Sequence, residues 1–172
     1  MPSLVGHVMS VSGIFVLKKD ISIISKKLIF FVVLCTILPD IDMIGYKIGV
    51  PYDSFFGHRG FTHSLLFAFL IALSITIIFF KKETKKSITI FTIFFFSMVL
   101  HDLLDMLTTG GLGIMLFTPF YNERLFFPIR FIEVSAINGN ILIYWFKNVL
   151  LNEIIFLLLP SLIIASIYKK IN

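Results

Sequence analysis

Long apolar runs divide this chain into five segments, and its polar motifs fall between them or at their ends. About 20 apolar residues cross a bilayer as a helix, so the pattern predicts about five membrane segments in an all-α, polytopic protein. The first runs from about Leu4 to Leu17 and is weakened by Ser10, Ser12 and Gly13. The second, Leu28 to Leu38, is expected to stop at Pro39, because a proline ring breaks a continuing helix. The third, Ser64 to Phe80, and the fourth, Ser87 to Leu107, are the strongest; the fourth carries polar residues in its last turns. The fifth lies within Ile141 to Tyr168, divided at Lys147-Asn148 and Asn152-Glu153. Its first half is expected to lie at the interface and Ile154 to Tyr168 to span. No repeat or linker splits the chain, so residues 1–172 are expected to form one domain.

Two connections, about 39–63 and 108–140, are long and rich in Gly, Pro and aromatics. Loops of that length in a small domain are usually functional. Lysines mark the opposite connections: Lys18, Lys19, Lys26 and Lys27; Lys81, Lys82, Lys85 and Lys86; and Lys169 with Lys170. The positive-inside rule places these in the cytoplasm. Alternation then brings the first residues and both long loops to the other face. That face would receive His7, Asp40, Asp42, His58, His63, His101 and Asp105, which include every histidine of the chain.

Each motif is suited to a metal. HDLLD sets His101 and Asp105 at i and i+4, on one helix face, whereas Asp102 points elsewhere. GHRGFTHS carries His58 and His63 across a turn in which Gly60 would let the chain fold back, and Thr62 is placed to cap the third helix. LPDID would present Asp40 and Asp42 to the same side if extended; alternatively, one of them holds a histidine tautomer. Taken singly, each motif also fits a polar helix contact or a solvated loop. Ionisable groups at membrane depth are costly and usually functional. Mixed imidazole and carboxylate donors suit zinc first, with manganese or iron as alternatives, and the donor count allows one or two ions. Such an ion supplies an activated water near neutral pH. Asp40 or Asp42 would serve as general base, and Arg59 would meet negative charge on a substrate or else snorkel to headgroups. Arg124 and Arg130 would bind phosphate or anchor the interface.

Composition strengthens the membrane assignment. The chain is 58% hydrophobic with 21 Phe and a mean hydropathy of +0.98, against roughly 45–50% apolar residues in soluble domains. The net charge of +5 fits lipid electrostatics better than specific nucleic-acid binding. The single Cys35 excludes an internal disulfide and is expected to be a buried, inert thiol. MPSLVGHVMS lacks the basic start of a cleavable signal peptide.

An early His7, LPDID, HRGFTHS, HDLLD followed by TTGG, and a PF…R segment together resemble the inner-membrane-associated, metal-dependent hydrolases of bacteria and archaea (YdjM-type, also described as LexA-binding hydrolases). The resemblance covers about residues 2 to 135. It implies a multi-pass protein of the prokaryotic plasma membrane, with Asp40, Asp42, His58, His63, His101 and Asp105 as metal-binding and catalytic positions and His7 as an addition. The expected partners are the bilayer and a small-molecule or lipid-linked ester or phosphoester. The competing expectations are a metal transporter or sensor, and a non-catalytic scaffold.

Overall fold

The computed structural model describes residues 1–17, 21, 23–136 and 140–171. Lys18 and Lys19 of the first lysine cluster, and residues 137–139 of the second long loop, lie outside them. Among the described residues the protein is all-helical, without a β-strand. It begins with two short helices, α1 (Leu4–Ser10) and α2 (Gly13–Leu17). Next come α3 (Lys26–Ile37), a 3-10 turn (Leu38–Ile41) and α4 (Asp42–Lys47). A second 3-10 turn (Phe61–His63) leads into α5 (Leu65–Phe79), and α6 follows (Ser87–Met106). A long helix, α7 (Ile141–Ile171), ends the chain.

Three of these units are long and apolar enough to cross a membrane: Lys26–Lys47, Thr84–Met106 and Ile141–Ile171. Leu4–Leu17 and Leu65–Phe79 are shorter apolar helices. Starts are set by side-chain caps, which satisfy amides that have no partner within the helix. Ser3, Ser25, Ser64 and Asn140 accept from the backbone N–H groups of Gly6, Leu28, Phe67 and Ile143. Ser64, not Thr62, therefore caps α5.

Two expected boundaries move. The segment starting at Lys26 does not stop at Pro39; it tightens into the 3-10 turn and continues to Lys47. Pro39 lies in the first turn of that element, where a missing N–H costs nothing. Asp40 and Asp42 are consequently helical rather than extended. The C-terminal segment is one 31-residue helix rather than an interfacial half and a span. It absorbs its polar residues in two π turns, Trp145–Val149 and Ile154–Leu158, and by pairing them. Asn152 accepts from Glu133 N–H and donates to the Phe131 carbonyl. Buried Glu153 accepts from Ser3 N–H, Ser3 Oγ and Trp145 Nε1.

The main core joins α3, α5 and α6 through Leu28, Val32, Cys35, Ala72, Phe94 and Met98. Around it Phe30, Ile77, Ile78, Ile88, Phe96, Leu151 and Ile164 stay exposed, an apolar surface suited to lipid rather than water. Lys27 donates to the Phe79 carbonyl at the end of α5, beside Lys81, Lys82 and Lys86. Helices α3 and α6 start at this lysine end and run to the opposite one, and α5 runs back.

Glu153 also ties α1 to α7. A Cβ on Gly6 would run into its carboxylate. Gly6→Ala should therefore destabilise the folded protein by about 1–3 kcal/mol, read as a lowered unfolding midpoint in detergent. An unchanged midpoint would show that this junction is loose.

Candidate metal centre

At the end of the bundle away from the lysines, four donor atoms converge from three stretches of chain. Asp40 comes from the turn after α3, His63 from the turn before α5, and His101 and Asp105 from one face of α6. His63 Nε2 lies 3.2 Å from His101 Nε2, 3.6 Å from Asp40 Oδ1 and 3.6 Å from Asp105 Oδ2. His101 Nε2 lies 3.7 Å from Asp40 Oδ1. A tetrahedral zinc with ligand bonds of about 2.0–2.1 Å separates its donors by about 3.3 Å, close to these four separations, and all four donor atoms lie within 4.8 Å of one another. Neither oxygen of Asp40 or Asp105 has a hydrogen bond, although both residues are buried. Arg59 Nε meets one Asp105 oxygen at 2.9 Å; the other oxygens are costly to bury without hydrogen bonds, and a cation at their centre removes that cost.

The ring orientations fit the same site. His101 Nδ1 is 2.7 Å from the Thr36 carbonyl. A carbonyl only accepts, so Nδ1 carries the proton and Nε2 keeps its lone pair. His63 Nδ1 faces Asp42 Oδ2 at 3.1 Å, again leaving Nε2 for the centre. Asp42 is fully engaged: Oδ1 lies 2.7 Å from His58 Nδ1, and Oδ2 accepts from Arg59 N–H and Thr62 Oγ1. Asp40, Asp42 and His58 form a second group of possible ligands. In the arrangement described, both Asp42 oxygens already accept hydrogen bonds or face imidazole nitrogens, which suits Asp42 to the tautomer-holding role that the sequence offered beside ligation.

His7 stacks on His101, with ring centroids 3.7 Å apart, and its Nε2 is 3.5 Å from Asp105 Oδ1. Both His7 nitrogens and His58 Nε2 are buried without partners. Of the seven predicted ligands, then, four share one centre, His7 borders it through Asp105, and Asp42 and His58 flank it.

Arg59 departs from its expected place. It neither faces a substrate nor snorkels. Its guanidinium is buried, with Nε 2.9 Å from Asp105 Oδ2 and its other nitrogens donating to Thr108 Oγ1 and the Gly110 carbonyl. The left-handed backbone of this turn also falls on Arg59 (φ 63°) rather than on Gly60. Arg59 N–H donates to Asp42, and its carbonyl accepts from Met115 N–H; bonds on both sides hold the strained conformation. Arg124 likewise spends its nitrogens on backbone carbonyls of Tyr52, Ser54, His58 and Gly113. Arg130 lies over the Phe126 ring. Arg59 and Arg124 therefore spend their guanidinium groups within the site's own framework, whereas Arg130 is exposed.

Sequence reading passed over three further groups. The Thr36 carbonyl is a backbone atom and leaves no trace in residue type. Thr108, in TTGG, anchors Arg59. Asp102 is buried with neither oxygen paired, and its position on an otherwise apolar helix was the available signal.

Burial alone would lower the His63 pKa, but the carboxylates of Asp40 and Asp42 beside the ring outweigh it and hold the value up at about 10. Without metal, His63 stays protonated until the pH rises through that value. Its contribution to stability is complete below the unfolded value of about 6.5 and disappears above about 10. A metal must displace this proton. Affinity for zinc should rise about tenfold per pH unit between pH 7 and 9, as expected for one proton released. Competition titration with a chelator measures it, and a flat profile would mean that His63 is not a ligand.

Known proteins place the chain among inner membrane proteins. Residues 1–171 match the family described as YdjM inner membrane protein. The inner membrane protein YbcI of Escherichia coli (strain K12) is 34% identical over 146 residues, 84% of each chain. No solved structure matches. With the match extending over nearly every residue, the chain belongs to the YdjM inner membrane protein family.

Proposed function

We propose that this protein is a membrane-bound, metal-dependent hydrolase acting on an ester or phosphoester, with one zinc ion held by Asp40, His63, His101 and Asp105. The observation that carries this reading is the convergence of four buried donors within 4.8 Å of one another, with neither carboxylate hydrogen-bonded. With all four residues as ligands the ion would need a fifth position for water, an expansion zinc allows; there it would supply a nucleophile at neutral pH and polarise the substrate's carbonyl or phosphoryl group. The chain's own groups do the rest. Asp42 and the Thr36 carbonyl fix the two imidazoles. Arg59 holds Asp105 in place. His7, with both nitrogens unpartnered beside Asp105, is placed to move a proton to or from the reacting group. The lysine clusters at the opposite end support, through the positive-inside rule, a multi-pass protein with the site on the extracytoplasmic face.

The helix interiors favour an enzyme over a transporter. Below the site the bundle is closed by Leu28, Ala72, Ile90, Phe94 and Met98, and Thr36, Thr76 and Ser97 bond back to their own helices. A moving ion would need polar groups through this depth. The test is turnover of carboxyl ester and phosphoester probes by the zinc-loaded protein beside Asp105→Asn. Zinc-dependent turnover lost in the variant supports the reading. A loaded site with no turnover on either class would refute it.

A further inference from the structure

An apolar cavity of about 450 Å³ opens beside the centre, between the start of α1, α4 and the start of α7. Leu4, Val5, Met43, Leu142 and Trp145 form its greasy wall, and Asp40, a member of the donor quartet, closes its inner end. Lys47 also lines it and is exposed. The volume lies in the range of small-molecule sites, which are mostly apolar with a few placed polar groups. The apolar hollow between Leu65, Phe69 and Phe117 touches none of the quartet.

We infer that this cavity binds the acyl chain of a single-chain anionic amphiphile, delivering its ester or phosphate head to the donor quartet. The inference rests on the proposed metal ion for the attraction of the head and on the hydrolase reading only for what happens to the ligand afterwards. Three features specify the occupant. The wall suits a hydrocarbon chain and offers little to a polar body. Asp40 connects the cavity to the donor quartet, which with its ion in place would attract a negative head. Lys47, at the end of α4, adds a positive charge on the same side. The chain would enter from the bilayer, where its carbons already lie.

Trp145, the chain's single tryptophan, reports on the cavity directly. Its fluorescence should be quenched by 9,10-dibromostearoyl lysophosphatidate added at trace levels to the protein in unbrominated detergent. The expected result is saturation at one amphiphile per protein, reversed by unlabelled stearoyl lysophosphatidate. Ala136→Phe and Val5→Phe, which fill the cavity from two sides, should each weaken this binding about tenfold or more, with an unfolding midpoint close to wild type as the check on folding. Quenching that grows linearly with mole fraction, without saturation, would overturn the proposal even if neither variant folds. So would saturable quenching indifferent to both filled variants and to competitor. Saturable binding without turnover would sink the hydrolase reading alone. Turnover of a short soluble ester without saturable binding would sink the cavity alone.

Discussion

Replacing Arg59 with Met should destabilise the metal-free protein by about 3–5 kcal/mol, the usual cost of removing one partner from a buried ion pair. Asp105 has no hydrogen bond of its own and is buried at 0% exposure, so the loss leaves a bare charge in an apolar setting. The variant also frees Thr108 and Gly110, loosening the loop that packs over the centre. A bound cation would neutralise the same carboxylate. The destabilisation should consequently shrink when zinc is present, and the two unfolding midpoints should diverge more for the variant than for wild type. Unfolding in detergent with and without zinc measures both. A loss below about 1 kcal/mol in the metal-free protein, the range of exposed pairs, would show that Arg59 is not Asp105's counter-ion.

Asp42→Asn should lower zinc affinity by about 10–100-fold, the usual effect of losing a carboxylate that orients a metal-binding histidine. The amide keeps the shape but presents only one acceptor oxygen. It therefore cannot receive His58 Nδ1, His63 Nδ1, Arg59 N–H and Thr62 Oγ1 together. Because Asp42 supports the ligands rather than the ion, the variant should still reach full loading at high zinc. Failure to load at any concentration would make Asp42 a ligand and move the centre toward the Asp40–Asp42–His58 group. Zinc titration against a fluorescent chelator separates a weakened site from an absent one.

Much of this architecture was legible in the order of residues. Apolar runs located all five helical segments, and the lysine clusters predicted which ends of the helices gather. HDLLD revealed its geometry because i and i+4 on a helix is a local relation. Features depending on distant partners were hidden. Asn152 and Glu153 look like helix interruptions until Ser3, Phe131 and Glu133 arrive to pair with them. Pro39 reads as a stop because sequence does not show that the chain tightens into a 3-10 turn around it. Arg59 looked available to a substrate because the carboxylate that occupies it is 46 positions later, at Asp105. The division of labour between Asp40 and Asp42 depends on where His58 and His63 fall in three dimensions, which their spacing alone leaves open.

The central claim is that Asp40, His63, His101 and Asp105 hold a metal ion, and metal content tests it most directly. The protein, purified in mild detergent and reconstituted with zinc, should carry one ion per chain by elemental mass spectrometry. His63→Ala and His101→Ala should each lose it while keeping their helical content. A wild-type protein that stays metal-free after reconstitution with zinc, manganese or iron would contradict the account.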